Sequence, residues 1–422
     1  MNKKNNILIL LIIIVSISIY IYPHFEIING GDSGQYILQS ENIYDNSSKL
    51  RPPIFSFIIL IGKIIFNNNW ILFIQIFNWI IYILFIILFY NLLYQFKLNK
   101  LIISSTILIF ALSPRILLYR YILLPEFFMA FIIFFIFYYI HQTIKTEFTL
   151  FNAIIIGTLN AICCLTKPIW ILGGLISTLF FIFYLKNNNV YRWKFPITVL
   201  ICNLSIIFLW QIFLYINFNQ VNISHASTRN LNLLSLRSGY FNSATNTQLY
   251  NHIKGDKILY ELTNEISWDE FERFTKLKSS LNNEITTFDN NFYRVAIKNN
   301  FINYIFTQTK RIPNFFTSKC LYIMNNKHLS YNIELYYLRL YKLIYLYILP
   351  IFFLIGLVYT IYNKNSLSIL LLTFILSYVF LSVFVSYQDQ SFVRFRTCID
   401  ALIFLFPLIA LNPQKTFIVD KK

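Results

Sequence analysis

The sequence predicts an all-α polytopic membrane protein with about ten transmembrane helices, within a range of nine to twelve. Three observations predict it. Of 422 residues, 57% are hydrophobic and 13% charged, where a soluble domain carries roughly 25%. Mean hydropathy is +0.58. The apolar residues fall in long runs, several of them of span length. This composition excludes a soluble globular enzyme and a disordered chain.

The first run, residues 7–22, follows Lys3 and Lys4 and lacks a small-residue cleavage site, so it reads as an uncleaved span. Further spans are expected at 70–94, 101–112, 123–140, 151–165, 169–185, 195–216, 341–362, 367–386 and 398–411. Residues 54–66 are apolar but short, and Gly62 and Lys63 interrupt them, so they read as an interfacial helix. Three parts follow: a transmembrane module at 1–216 with a first outer loop at 23–69, an extracytoplasmic loop or small domain at 217–340, and C-terminal transmembrane helices at 341–422. Within the long loop, Trp268-Asp269-Glu270-Phe271-Glu272-Arg273 reads as helical. No internal repeat is visible, so an inverted-repeat transporter has no support.

The net charge is +17, and its placement is informative. Ten spans put both termini on one side, with Lys3, Lys4, Lys415, Lys421 and Lys422. Lys97, Lys100, Lys145, Lys186, Arg192, Lys194 and Lys364 fall in short connections on that side, which the positive-inside rule makes cytoplasmic. Outside the long loop, a few basic residues remain on the outer side: Lys49, Arg51, Lys63, Arg115, Arg120, Lys167, Arg394 and Arg396. Glu26, Asp32, Glu41, Asp45, Glu126, Asp389 and Asp400 accompany them. Charges at membrane depth are costly and tend to be functional, although any single one can snorkel to the headgroups or hold an anionic lipid.

Their local patterns point further. Gly31-Asp32-Ser33-Gly34 sets a lone acid between glycines, with Tyr36 beyond it; Asp32 either presents a carboxylate from a tight turn or caps a helix starting at Ser33. Arg51-Pro52-Pro53 fixes an extended approach that brings a guanidinium to the same surface. Ser113-Pro114-Arg115 leads through Arg120 to Leu124-Pro125-Glu126, where Glu126 also suits a helix N-terminus. Leu165-Thr166-Lys167-Pro168 aims one cation outward between two spans. Arg394-Phe395-Arg396 precedes the last span, and in extended backbone its two arginines would point the same way. Cations that stabilise a departing phosphate, beside a carboxylate that takes a hydroxyl proton, are the inventory a lipid-linked phosphate donor needs.

These motifs, in this order, resemble the GT-C superfamily of integral-membrane glycosyltransferases, nearest the branch of bacterial protein O-mannosyltransferases and lipid A aminoarabinose transferases. The likeness covers roughly residues 2–216 well, the last three spans loosely and the long loop hardly at all. It implies a polyprenyl-phosphate sugar as donor, a lipid, glycan or protein acceptor, and inverting transfer on the outer face of a bacterial inner or plasma membrane. Nucleic acid has no part in it. The resemblance puts Asp32 and Glu126 in catalytic positions, Lys167, Arg394, Arg396 and, less directly, Arg51 on the donor phosphate, and Tyr36 in substrate positioning. Several members carry two adjacent acids in the first loop, whereas Ser33 follows Asp32 here. Members differ in using a divalent metal, so no cofactor is assigned and a divalent metal stays open. Two other classes compete. An O-antigen polymerase or ligase would put function on Arg229, Arg237, Arg273 or Arg294 of the long loop. A transporter or flippase of lipid-linked sugars would place charges at mid-membrane depth, where Asp400 is the main exception to charge-free spans.

Of the cysteines, Cys163, Cys164 and Cys202 fall in apolar runs and read as core residues, while Cys320 and Cys398 fall on the outer side without implying a disulfide framework.

Overall fold

A computed structural model describes residues 3–21, 32–185, 193–224, 231, 235, 291–317, 331–386 and 391–411. Most of the long loop, including Trp268 to Arg273, Arg229, Arg237 and Cys320, lies outside the described residues, as do Glu26, Gly31, Lys186, Arg192, Asp389, Lys415, Lys421 and Lys422. The described residues form helices joined by short turns, with no β-strand among them.

The first half contains α1 (Lys3–Ile21), α2 (Ser33–Glu41), α3 (Ser47–Leu50), α4 (Ile54–Phe66), α5 (Trp70–Gln95), α6 (Lys100–Ala111), α7 (Pro114–Tyr121), α8 (Glu126–Lys145), α9 (Leu150–Thr166), α10 (Ile171–Tyr184) and α11 (Lys194–Phe218). Beyond the long loop come α12 (Asn291–Asn299), α13 (Phe301–Thr309), α14 (Ile312–Thr317), α15 (Tyr331–Leu343), α16 (Leu349–Asn363), α17 (Ser366–Val385), α18 (Ser391–Thr397) and α19 (Asp400–Leu411). A π-turn at Ile344–Ile348 makes α15 and α16 one continuous helix.

Among the described residues, five helical stretches are long and apolar enough to cross a membrane, and a sixth if α6 and α7, bent by 44° at Ser113-Pro114, count as one span. Four more apolar helices are shorter: Ile9–Ile19, Leu150–Thr166, Pro168–Tyr184 and Asp400–Leu411. At about 1.5 Å per residue these fall short of a hydrocarbon core about 30 Å thick. The architecture is that of a helical integral membrane protein, with five or six helices of full span length among the described residues where the apolar runs predict ten.

One of the five stretches, Ile54–Gln95, is not a straight rod. Asn67 has φ 47°, and a Cβ added to Gly62 would lie 2.7 Å from the Phe73 ring. In a straight helix eleven residues rise about 16 Å, so the chain turns at Asn67 and lays α4 against α5. This keeps α4 separate from the span that follows, as expected from its sequence.

Local chemistry sets the helix ends. Asn99, Thr149 and Asn365 each accept a backbone N–H at the start of α6, α9 and α17, satisfying donors the helix cannot. Lys97, Asn219 and Lys364 adopt positive φ where helices stop. Helices α9 and α11 pack closely because Gly157 has no side chain: a Cβ there would lie 2.5 Å from the Val199 carbonyl oxygen. The core is aromatic and aliphatic, with Phe85, Phe89, Phe110 and Phe134 in mutual ring contact between α5, α6 and α8. Helix α8 also packs against α7, α9 and α18, and the ends of these four helices carry the charges.

Candidate active site

Five charged side chains meet at this end. Asp32 precedes α2 at the N-cap position, but its side chain makes no capping bond. It faces two guanidinium groups instead. Arg51 Nη2 lies 2.6 Å from Asp32 Oδ1, and Arg394 Nη2 donates to Asp32 Oδ2 at 2.8 Å. Arg394 Nε also donates to Glu126 Oε1 at 2.8 Å, and Lys167 Nζ donates to the same oxygen at 2.9 Å. Arg394 therefore bridges the two carboxylates.

Local backbone explains each placement. Arg51 and Lys167 both precede proline, which disfavours helical backbone. Their φ/ψ are −122°/136° and −155°/119°, so each leaves its helix and extends its side chain across the end of the bundle. Pro125 starts α8 and puts Glu126 in its first turn, where a carboxylate meets free N–H groups. Ser33 Oγ donates to the Leu123 carbonyl at 2.7 Å and ties the start of α2 to the entry of α8.

A second layer that the motif reading did not single out holds Arg51. Gln35 Oε1 accepts from Arg51 Nε at 2.6 Å. Gln39 Nε2 donates to the Arg51 carbonyl at 3.0 Å, and Ser56 Oγ donates to Gln39 Oε1 at 2.6 Å. Gln35 and Gln39 stand four apart on α2, the spacing that puts two side chains on one helix face, which was a readable signal. Tyr36 is buried, with Arg51 5.7 Å above its ring and Phe55 edge-on at 5.3 Å. It is a floor under Arg51 rather than a group facing open space, and burial pushes its phenol up. Lys167 lies 4.4 Å over the Phe395 ring, and Cys398 Sγ donates to the carbonyls of Glu126 and Arg394.

Arg396 is not in this cluster. Residues 391–397 are helical, so positions two apart point to opposite sides instead of sharing a face as in extended backbone. Arg396 Nε donates to Asp400 Oδ1 at 3.1 Å, and Arg115 Nη1 reaches the same carboxylate at 3.3 Å. Both guanidiniums lie over the Tyr345 ring, at 4.2 Å for Arg115 and 4.8 Å for Arg396. All three charged side chains are sealed from solvent.

Exposure separates the roles within the first cluster. The side chains of Asp32 and Arg394 are 24% and 28% exposed, while Glu126 is 0% exposed. Glu126 Oε2 has no hydrogen-bond partner among the described residues. Burial pushes the Asp32 carboxyl up, but Arg51 and then Arg394 outweigh it and hold it at about 2, against an ordinary 3.8. The three cations and two carboxylates leave one positive charge. No family model, curated protein or solved structure matches the chain. Among the described residues no three His, Cys, Asp or Glu side chains gather as a metal site would require. The arrangement is suited to holding an anion over Asp32 with Arg51, Arg394 and Lys167.

Proposed function

We propose that the protein is a membrane glycosyltransferase that moves a sugar from a polyprenyl-phosphate donor to an acceptor hydroxyl on the outer face, with inversion and with Asp32 as the base. The observation that carries the reading is the partly exposed Asp32 held between Arg51 and Arg394, in a cluster one positive charge in excess. A phosphodiester donor carries one negative charge, which matches that excess.

The idle arrangement would restrain its own base. Both Asp32 oxygens are taken by guanidiniums, and a carboxylate held at about 2 is a weak proton acceptor. An arriving phosphate competes for Arg51 and Arg394. As they turn to it, Asp32 loses its charge partners and its affinity for a proton rises. Asp32 then takes the proton of the acceptor hydroxyl while that oxygen bonds to the anomeric carbon. The bond from that carbon to the phosphate oxygen breaks, and its electron pair leaves with the polyprenyl phosphate. The phosphate gains charge as it departs, which Lys167, Arg51 and Arg394 stabilise. Glu126, buried and accepting from Lys167 and Arg394, serves in this scheme by aiming those two cations.

Purified chain in proteoliposomes with polyprenyl-phosphate sugar and envelope acceptors tests the reading. Asp32→Asn should lower transfer about 10²- to 10⁴-fold while insertion and thermal unfolding stay close to those of the parent. An Asn variant that keeps the parental rate removes Asp32 from the chemistry. No donor turnover by the parent across sugar and acceptor panels removes the transferase reading.

A further inference from the structure

Helices α12 and α13 supply no residue to either charged cluster and carry an unassigned surface. Tyr304 of α13 donates to the Phe384 carbonyl, and Arg311, just beyond α13, donates to the Ser386 carbonyl at 2.8 Å. Both acceptors lie at the C-terminal end of α17, a 20-residue apolar helix of span length. At about 1.5 Å per residue α17 matches the hydrocarbon thickness, so α13 sits at its boundary with the headgroups.

The helix has three sectors. Tyr304 and Gln308 face the protein. Ile302 and Phe306 stand four apart and are 81% and 59% exposed. Asn303, Thr307 and Lys310 form the third side, and Lys310 folds over the Phe306 ring at 4.0 Å. A helix between protein, lipid and water needs this division, whereas one in water has no use for the exposed apolar sector. Residues 291–317 hold four basic residues and no acid. Where α12 meets α13, Tyr293, Arg294, Ile297, Lys298 and Phe301 line an open, mainly apolar cavity of about 410 Å³, and Arg294 and Lys298, both exposed, stand four apart on one face of α12.

We propose that α12 and α13 lie on the membrane surface, with Ile302 and Phe306 inserted among the lipids and the headgroup of an anionic phospholipid seated between Arg294 and Lys298. The surface is independent of the transferase reading, since it uses none of Asp32, Arg51, Glu126, Lys167 and Arg394.

The test uses the full chain in nanodiscs of phosphatidylcholine, with or without phosphatidylglycerol. A genetically encoded fluorescent amino acid at Ile302 should emit to the blue and be quenched by brominated acyl chains, while one at Thr307 should report water. Equal, water-like signals at both sites overturn the insertion. Arg294→Gln and Lys298→Gln should each weaken retention of phosphatidylglycerol roughly fivefold, read by native mass spectrometry, with phosphatidylcholine unaffected. Retention unchanged in both variants, or displacement of the lipid by inorganic phosphate at equal concentration, overturns the headgroup site. Neither measurement reads sugar transfer, so failure here leaves the Asp32 assignment standing, and an inactive parent leaves this surface testable.

Discussion

The Asp32 and Asp400 clusters are built from the same parts and do different work. Each sets a carboxylate against two guanidiniums, and α18 supplies one arginine to each, Arg394 to the first and Arg396 to the second. Around Asp400 everything is sealed: Asp400 and Arg115 are 0% exposed and Arg396 is 1% exposed. Around Asp32 the carboxylate and Arg394 reach solvent. Ion pairs that are sealed cannot exchange partners without leaving a buried charge uncompensated, so they act as a fastener. Ion pairs that touch solvent can hand a guanidinium to an incoming anion. Exposure, rather than the residue types, therefore divides scaffold from candidate chemistry in this protein.

Breaking the fastener should give the largest effect. Asp400→Asn removes the carboxylate that Arg115 and Arg396 share while both guanidiniums stay buried over one tyrosine ring. Removing one partner from a buried ion pair costs about 3–5 kcal/mol. The expected result is a lower unfolding temperature in detergent and poor recovery of folded protein. Asp32→Asn, in the exposed cluster, should shift the same temperature far less. Equal losses would erase the distinction drawn from exposure.

Arg394→Gln sharpens the comparison at intermediate size. It removes the bridge between Asp32 and Glu126 but leaves Asp32 with Arg51 and Glu126 with Lys167. Under the transferase reading, loss of one cation from a departing phosphate should lower turnover about 10²- to 10³-fold, as removing one oxyanion donor does. Donor KM should rise before acceptor KM. A variant with unchanged donor kinetics would show that Arg394 serves packing alone.

Much of the first cluster was legible because charge is scarce in this chain. Asp32, Arg51, Glu126, Lys167 and Arg394 stand out against apolar runs, and the structure brings these five together. The prolines after Arg51 and Lys167 were readable causes of their extended backbone. Arg396 was misplaced because a seven-residue segment before a span gives too little periodicity to tell helix from extended chain, and that choice decides which way it points. Arg115 and Asp400 were both visible as outer charges, but their pairing spans 285 positions and no local pattern announces it. The helices themselves were readable as apolar runs. Their ends were less so: residues 123–140 were expected as a span, whereas α8 runs from Glu126 to Lys145 because Pro125 sets its start. The turn at Asn67 was legible only as a break in hydropathy; its fold-back depends on how Gly62 meets Phe73.

The smallest expected effect isolates the paired state of Asp32. Its carboxyl titrates near 2 when folded and near 3.8 when unfolded, so the unfolded chain binds its proton first as acid is added. The pairing thus stabilises the fold fully above 3.8, and the contribution fades as pH falls from there through about 2. Asp32→Asn removes the titrating group. Between those two values the parent should lose more thermal stability than the variant, measured by unfolding in detergent across an acid series at fixed salt. High salt should narrow the gap, because this carboxylate and Arg394 both reach solvent. If parent and variant decline in parallel, the idle protein does not hold Asp32 between Arg51 and Arg394, and the restraint that an incoming phosphate would relieve is absent.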